Sequence, residues 1–89
     1  MLSEQYRFKF FIEDVENNLS GANEKTAIVT SILLFERKEV FSGIVRVRLN
    51  EFGIFPVAED ISAFSEQLSI RRALAAEIRK YIKPQKRFL

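Results

Sequence analysis

The sequence has no cysteine, no histidine and no tryptophan, and only three glycines and two prolines among its 89 residues. Without cysteine there is no disulfide framework, thiol nucleophile, CxxC redox pair or thiolate zinc site. Without histidine the commonest general base and metal ligand is missing, and triad chemistry is excluded. Gly21, Gly43 and Gly53 are too scattered to build a GxGxxG or P-loop cradle for phosphates. No apolar run reaches the roughly 18 residues of a membrane span, the longest being interrupted by Thr30 and Ser31. Glu4 and the alternation after it fit neither the basic start nor the apolar middle of a signal peptide, so the expected location is cytoplasmic, with no membrane partner.

What is present describes a small globular chain. Apolar residues make up 47% and charged residues 29%, too apolar for intrinsic disorder. The length predicts a single domain over residues 1–89, whose folding hides roughly 64% of the surface of the unfolded chain. Carboxylates are the remaining groups for acid–base work or for a hard cation, in the clusters Glu13, Asp14, Glu16 and Glu59, Asp60. Each cluster falls where a strand or loop should end, where exposed acidic residues are the ordinary case. The expectation is a chain with no catalytic residues, no cofactor and no metal.

Residues 5–13 alternate, with Tyr6, Phe8, Phe10 and Ile12 facing one way and Arg7, Lys9, Phe11 and Glu13 the other, which is the period of a strand. Residues 15–24 carry Asn17, Asn18, Ser20, Gly21 and Asn23 and predict a loop. Asn18, Leu19 and Ser20 spell a glycosylation acceptor, a chance match in a chain without a secretory signal. Residues 26–35 suit either a helix or a strand. A hairpin turning around Arg37 and Lys38, with residues 36–39 as its loop, pairs Leu34 with Phe41, Ile32 with Gly43, Thr30 with Val45 and Ile28 with Val47. This register gathers the most apolar residues of both segments on one face, and the β-branched content agrees. Residues 52–56 form a short extended piece that Pro56 confines to an edge or a loop. Residues 62–82 change to a helical period, with Phe64, Leu68, Ile70, Leu74, Ala75, Ile78, Tyr81 and Ile82 in one arc, a cap at Asp60 or Ser62, and a stop at Pro84. A basic tail follows from about residue 84.

The fold expected is therefore α+β, an antiparallel sheet of three or four strands in chain order with one C-terminal helix packed on one face. The alternative is β-α-β-α with residues 24–38 helical. In the favoured fold Phe8, Phe10, Ile32, Val45, Val47, Leu74 and Ile78 form the core.

Two surfaces then emerge as candidates. A lone helix covers one face of the sheet, which leaves Phe11, Val29, Leu33, Phe35 and Ile44 on the other, beside Arg7, Lys9, Arg46 and Arg48. A second copy of the chain, sheet against sheet, is the expected cover. The second candidate is charge. Residues 1–70 hold 7 basic and 11 acidic side chains, whereas residues 71–89 hold 7 basic and 1 acidic. Arg72, Arg79, Lys80, Lys83, Lys86 and Arg87 are the expected contacts to an anionic partner, with Arg71 set aside because it falls within the apolar arc. The function these features predict is a non-enzymatic interaction module, homodimeric, engaging an unidentified protein partner through its sheet or its basic C-terminal helix. The runner-up is a small nucleic-acid-binding or regulatory protein, although the RNP pattern of glycine and aromatics is absent.

Overall fold

The computed structural model describes residues 5–17 and 24–89. The predicted glycosylation acceptor and most of the predicted loop lie outside them. The fold is α+β: a four-stranded antiparallel sheet in the order β1-β2-β3-β4, formed by Tyr6–Asn17, Lys25–Phe35, Lys38–Asn50 and Gly53–Pro56, with helices α1, Ala58–Phe64, and α2, Leu68–Ile82. Residues 25–35 are a strand, so the helical alternative for residues 24–38 is overturned. A 3-10 turn, Lys83–Phe88, ends the chain. No helix among the described residues is long and apolar enough to cross a membrane.

β2 lies between β1 and β3, and every second residue of it is buried: Ala27, Val29, Ser31 and Leu33. Opposite them on β3 stand Val47, Val45, Gly43 and Phe41, and Ile70, Leu74, Ile78 and Ile82 of α2 close the core from above, four residues apart along one stripe. Phe8 and Phe10 of β1 pack partly buried against this core, Phe10 with its ring 5.3 Å from that of Tyr81. Gly43 leaves room for the Phe64 ring, whose edge would stand 3.6 Å from a Cβ at that position.

The facing of β2 is the reverse of that expected. Ile28, Thr30, Ile32 and Leu34 point away from the helices, and Ile32 leaves the predicted core. Two local features shift the register. The β2–β3 turn is only two residues, Glu36 and Arg37, both with positive φ (51° and 70°), as a type I′ hairpin turn requires. A bulge then places Val40 between the pairs Leu34–Glu39 and Leu33–Phe41. The alternation of β3 keeps its expected phase, whereas that of β2 lies one residue out, and a one-residue slip exchanges the two faces.

The predicted single helix over residues 62–82 is also two helices. Ser65 is extended (φ −158°, ψ 149°) and its hydroxyl accepts the Gln67 N–H at 3.1 Å. The Arg71 guanidinium donates to the carbonyls of Ser65 and Ser62 and ties α2 to the end of α1. Leu68, a member of the predicted apolar arc, is consequently exposed. Neither predicted cap forms. Asp60 instead accepts the Arg46 N–H at 2.9 Å, while the Val57 N–H donates to the Arg46 carbonyl at 2.9 Å. The start of α1 thus continues the β3 edge where β4 ends.

Candidate functional site

The sheet face opposite the helices is a continuous surface. Rows across the strands, set by the register, run Glu16–Thr26–Arg48–Phe55, Asp14–Ile28–Arg46, Phe11–Thr30–Ile44, Lys9–Ile32–Ser42 and Arg7–Leu34–Glu39; residues directly opposite one another share a face. A bulge at Glu13 brings its carboxylate onto this face too, where Thr30 Oγ1 donates to it at 2.9 Å. The middle is apolar, with Phe11 51% and Ile44 60% exposed and Ile28, Ile32 and Leu34 half-buried between them. The charges occupy the corners. β1 carries Arg7 and Lys9 at one end and Glu13, Asp14 and Glu16 at the other. β3 carries Glu39 beside the basic end of β1, and Arg46 and Arg48 beside its acidic end.

Of the five residues expected on this face, Phe11 and Ile44 are there. Val29 and Leu33 are not: both have no exposed surface and lie beneath α2. Phe35 shares their side of β2, its ring centre 4.8 Å from that of Tyr6 and tilted by 40°. The shifted register accounts for all three. It puts Ile28, Ile32 and Leu34 in their place, of which Ile32 is expected in the core and the other two on the same side of the strand, and β4 adds Phe55.

Arg46 and Asp60 form the ion pair at the border of this face. The guanidinium donates to both carboxylate oxygens, at 2.8 and 3.0 Å. These side-chain hydrogen bonds hold the Asp60 carboxyl below its ordinary range and raise Arg46, the backbone bond adding to the effect on Asp60 and partial burial opposing it. Asp60 is therefore committed to structure. Among the described residues no three acidic side chains converge as a metal site.

The second surface is an open cleft of about 1130 Å³ at the end of the molecule where β2 begins, β3 ends and α2 gives way to the 3-10 turn. Leu49 and Pro84 give it apolar lining, and Lys25, Lys80, Lys83, Lys86 and Arg87 surround it, with Glu51 the one acid on its wall among the described residues. Four of the six basic residues singled out in the sequence meet here. Arg72 does not, since it lines a separate cleft with Arg7 and Lys9. Arg79 lies outside as well, its Nε donating to the Ile54 carbonyl on β4 at 3.4 Å.

Lys25 was missed, because nothing in the local sequence relates it to a segment 55 residues further on. The predicted tail is the reason it belongs. Residues 83–88 wind into the 3-10 turn, the Gln85 amide donates to the Tyr81 carbonyl at 2.8 Å, and Leu89 packs on the core and accepts a hydrogen bond from Lys25 Nζ at 2.6 Å. Phe52 and Phe88, 83% and 75% exposed, adjoin the lining residues Glu51 and Arg87. The Arg87 guanidinium sits 4.9 Å from the Phe88 ring centre. Comparison with family models, with curated proteins and with solved structures finds no match.

Proposed function

We propose that the chain is a non-enzymatic interaction module that works as a homodimer, two copies packing open sheet face against open sheet face. The observation that carries this reading is the self-complementary charge pattern around the apolar band. A two-fold axis laid along β2 sets β1 of one copy over β3 of the other with the same ends together. Glu16 then meets Arg48, Phe11 meets Ile44, and Arg7 meets Glu39. A surface that merely faced water would gain nothing from six large apolar side chains, Phe11, Ile28, Ile32, Leu34, Ile44 and Phe55, on one sheet face. The size is also adequate. Three strands of about 12 residues span roughly 40 by 14 Å at ~3.3 Å per residue and ~4.8 Å per strand. Before side-chain relief is counted, that footprint of roughly 550 Å² approaches the roughly 800 Å² per partner of a standard interface.

Sedimentation equilibrium at micromolar concentration tests the reading, with a dimer expected. Ile44→Glu should yield a folded monomer, as judged by an unchanged circular dichroism spectrum. Arg48→Glu and Glu16→Lys should each weaken the dimer, and the double variant should recover part of the loss, because exchanging the two charges restores their attraction. A monomeric unmodified chain at these concentrations would overturn it.

A further inference from the structure

We infer that the basic cleft at the end of α2 binds single-stranded nucleic acid through its phosphate backbone, with Phe52 and Phe88, which follow the lining residues Glu51 and Arg87 in the chain, as stacking surfaces for bases. This goes beyond the dimer and does not depend on it, since none of the residues that line the cleft belongs to the apolar band.

The argument starts from where the cations come from. Basic residues in the last turn of a helix are favoured by its dipole, and that alone would explain Arg79 and Lys80. It does not explain Lys25, at the start of β2, or Lys86 and Arg87, beyond the helix in the 3-10 turn. Three separate segments converge to bring five cations around one cleft, opposed there by Glu51. Among the described residues Lys83, Lys86 and Arg87 have no acidic side chain within ion-pair distance, and Lys80 has only a contact of 3.4 Å with Glu77 on the exposed helix surface. Glu51 offsets one of these charges and Lys25 Nζ already donates to the Leu89 carbonyl, so the excess rests on Lys80, Lys83, Lys86 and Arg87, and such a concentration of like charge is repulsive unless an anion is near.

The cleft is open to solvent, and the aromatics beside it select the kind of anion. Phe52 is at the tip of the β3–β4 turn and Phe88 is on the 3-10 turn, and they are the two most exposed large apolar side chains among the described residues. Cations that track phosphates beside rings that accept a base face are the two components of sequence-tolerant single-strand binding, and the Arg87–Phe88 pair shows both in one contact.

Fluorescence anisotropy with a labelled 20-nucleotide oligo-dT and the full chain tests the proposal. Binding at 50 mM salt is expected, falling roughly 20- to 50-fold by 200 mM, the loss for three or four phosphate contacts on a single strand. Lys83→Glu should weaken binding and flatten the salt slope by roughly one contact. Arg72→Glu, which changes net charge equally but lies in the other cleft, should leave binding nearly unchanged. Phe52→Ala and Phe88→Ala should each lower affinity by roughly fivefold or more, with the salt slope retained. Melting curves of each variant keep folding separate from binding. The proposal is overturned if oligo-dT does not bind at 50 mM salt, or if Arg72→Glu weakens binding as much as Lys83→Glu. It is also overturned if poly-glutamate competes as well as oligo-dT, or if vesicles containing phosphatidylserine bind where oligo-dT does not.

Discussion

At the residue scale the Arg46–Asp60 pair carries more of the fold than its position near the surface suggests. Asp60 accepts both the backbone N–H and the guanidinium of Arg46, so one carboxylate closes the β3 edge and anchors α1. Its folded-state pKa is depressed, by the Arg46 side-chain hydrogen bonds first. A group of this kind stabilises the fold above its ordinary carboxylate range, and the contribution is lost as pH falls through the lowered folded value. Stability should therefore be flat in this respect at neutral pH and decline in acid below about pH 4. Asp60→Asn should lower the melting temperature at pH 7 and reduce that acid dependence, which melting curves from pH 2 to 7 would check. Leu33 is the contrasting case. It is wholly buried, so Leu33→Ala should cost about 2–5 kcal/mol in chemical denaturation, and Leu33→Glu should unfold the chain rather than separate a dimer.

Elements were legible in the sequence where side-chain period alone decides them. Tyr6, Phe8, Phe10 and Ile12 gave the inward face of β1, and the helical period found the stripe of α2. The residue counts between elements were not legible. Glu36 and Arg37 adopt the left-handed conformation without the glycine or asparagine that announces it, and the bulge at Val40 has no sequence mark. The turn alone shifts the pairing by two residues and keeps the facing; the one-residue bulge is what moves Val29 and Leu33 from the candidate interface to the core and brings Ile28 and Ile32 out. The break at Ser65 was equally silent, because Ser65, Glu66 and Gln67 include neither proline nor glycine and the apolar spacing runs on through Leu68. Left-handed φ disfavours ordinary side chains by about 1 kcal/mol. Replacing the turn by Asn-Gly, Glu36→Asn with Arg37→Gly, should then raise stability by about 0.5–1 kcal/mol. Guanidinium denaturation would register it as a higher midpoint with an unchanged slope.

On the scale of the whole molecule, a slab with extents of 41 × 23 × 20 Å and a radius of gyration of 13.2 Å is more extended than the roughly 12 Å usual for this length. One sheet face carries the helices, and the other carries nothing among the described residues. The 3-10 turn matters to this arrangement in two distinct ways, by packing and by charge. Leu89 packs on the core, Lys25 reaches its carbonyl and Ile82 is wholly buried just before the turn, whereas the ammonium groups of Lys83 and Lys86 face the cleft. Ending the chain at Ile82 should remove both contributions and lower stability by about 1–3 kcal/mol, which for a domain of this size is a fall of roughly 5–20 °C in Tm. Lys83→Glu should reverse one charge without removing the packing of the turn and alter stability by less than about 0.5 kcal/mol. Scanning calorimetry on the three chains separates the two roles. Equal melting of the shortened and full chains would mean that the turn contributes no packing, and equal losses in both variants would mean that the cleft charges, rather than Leu89, hold this end of the fold together.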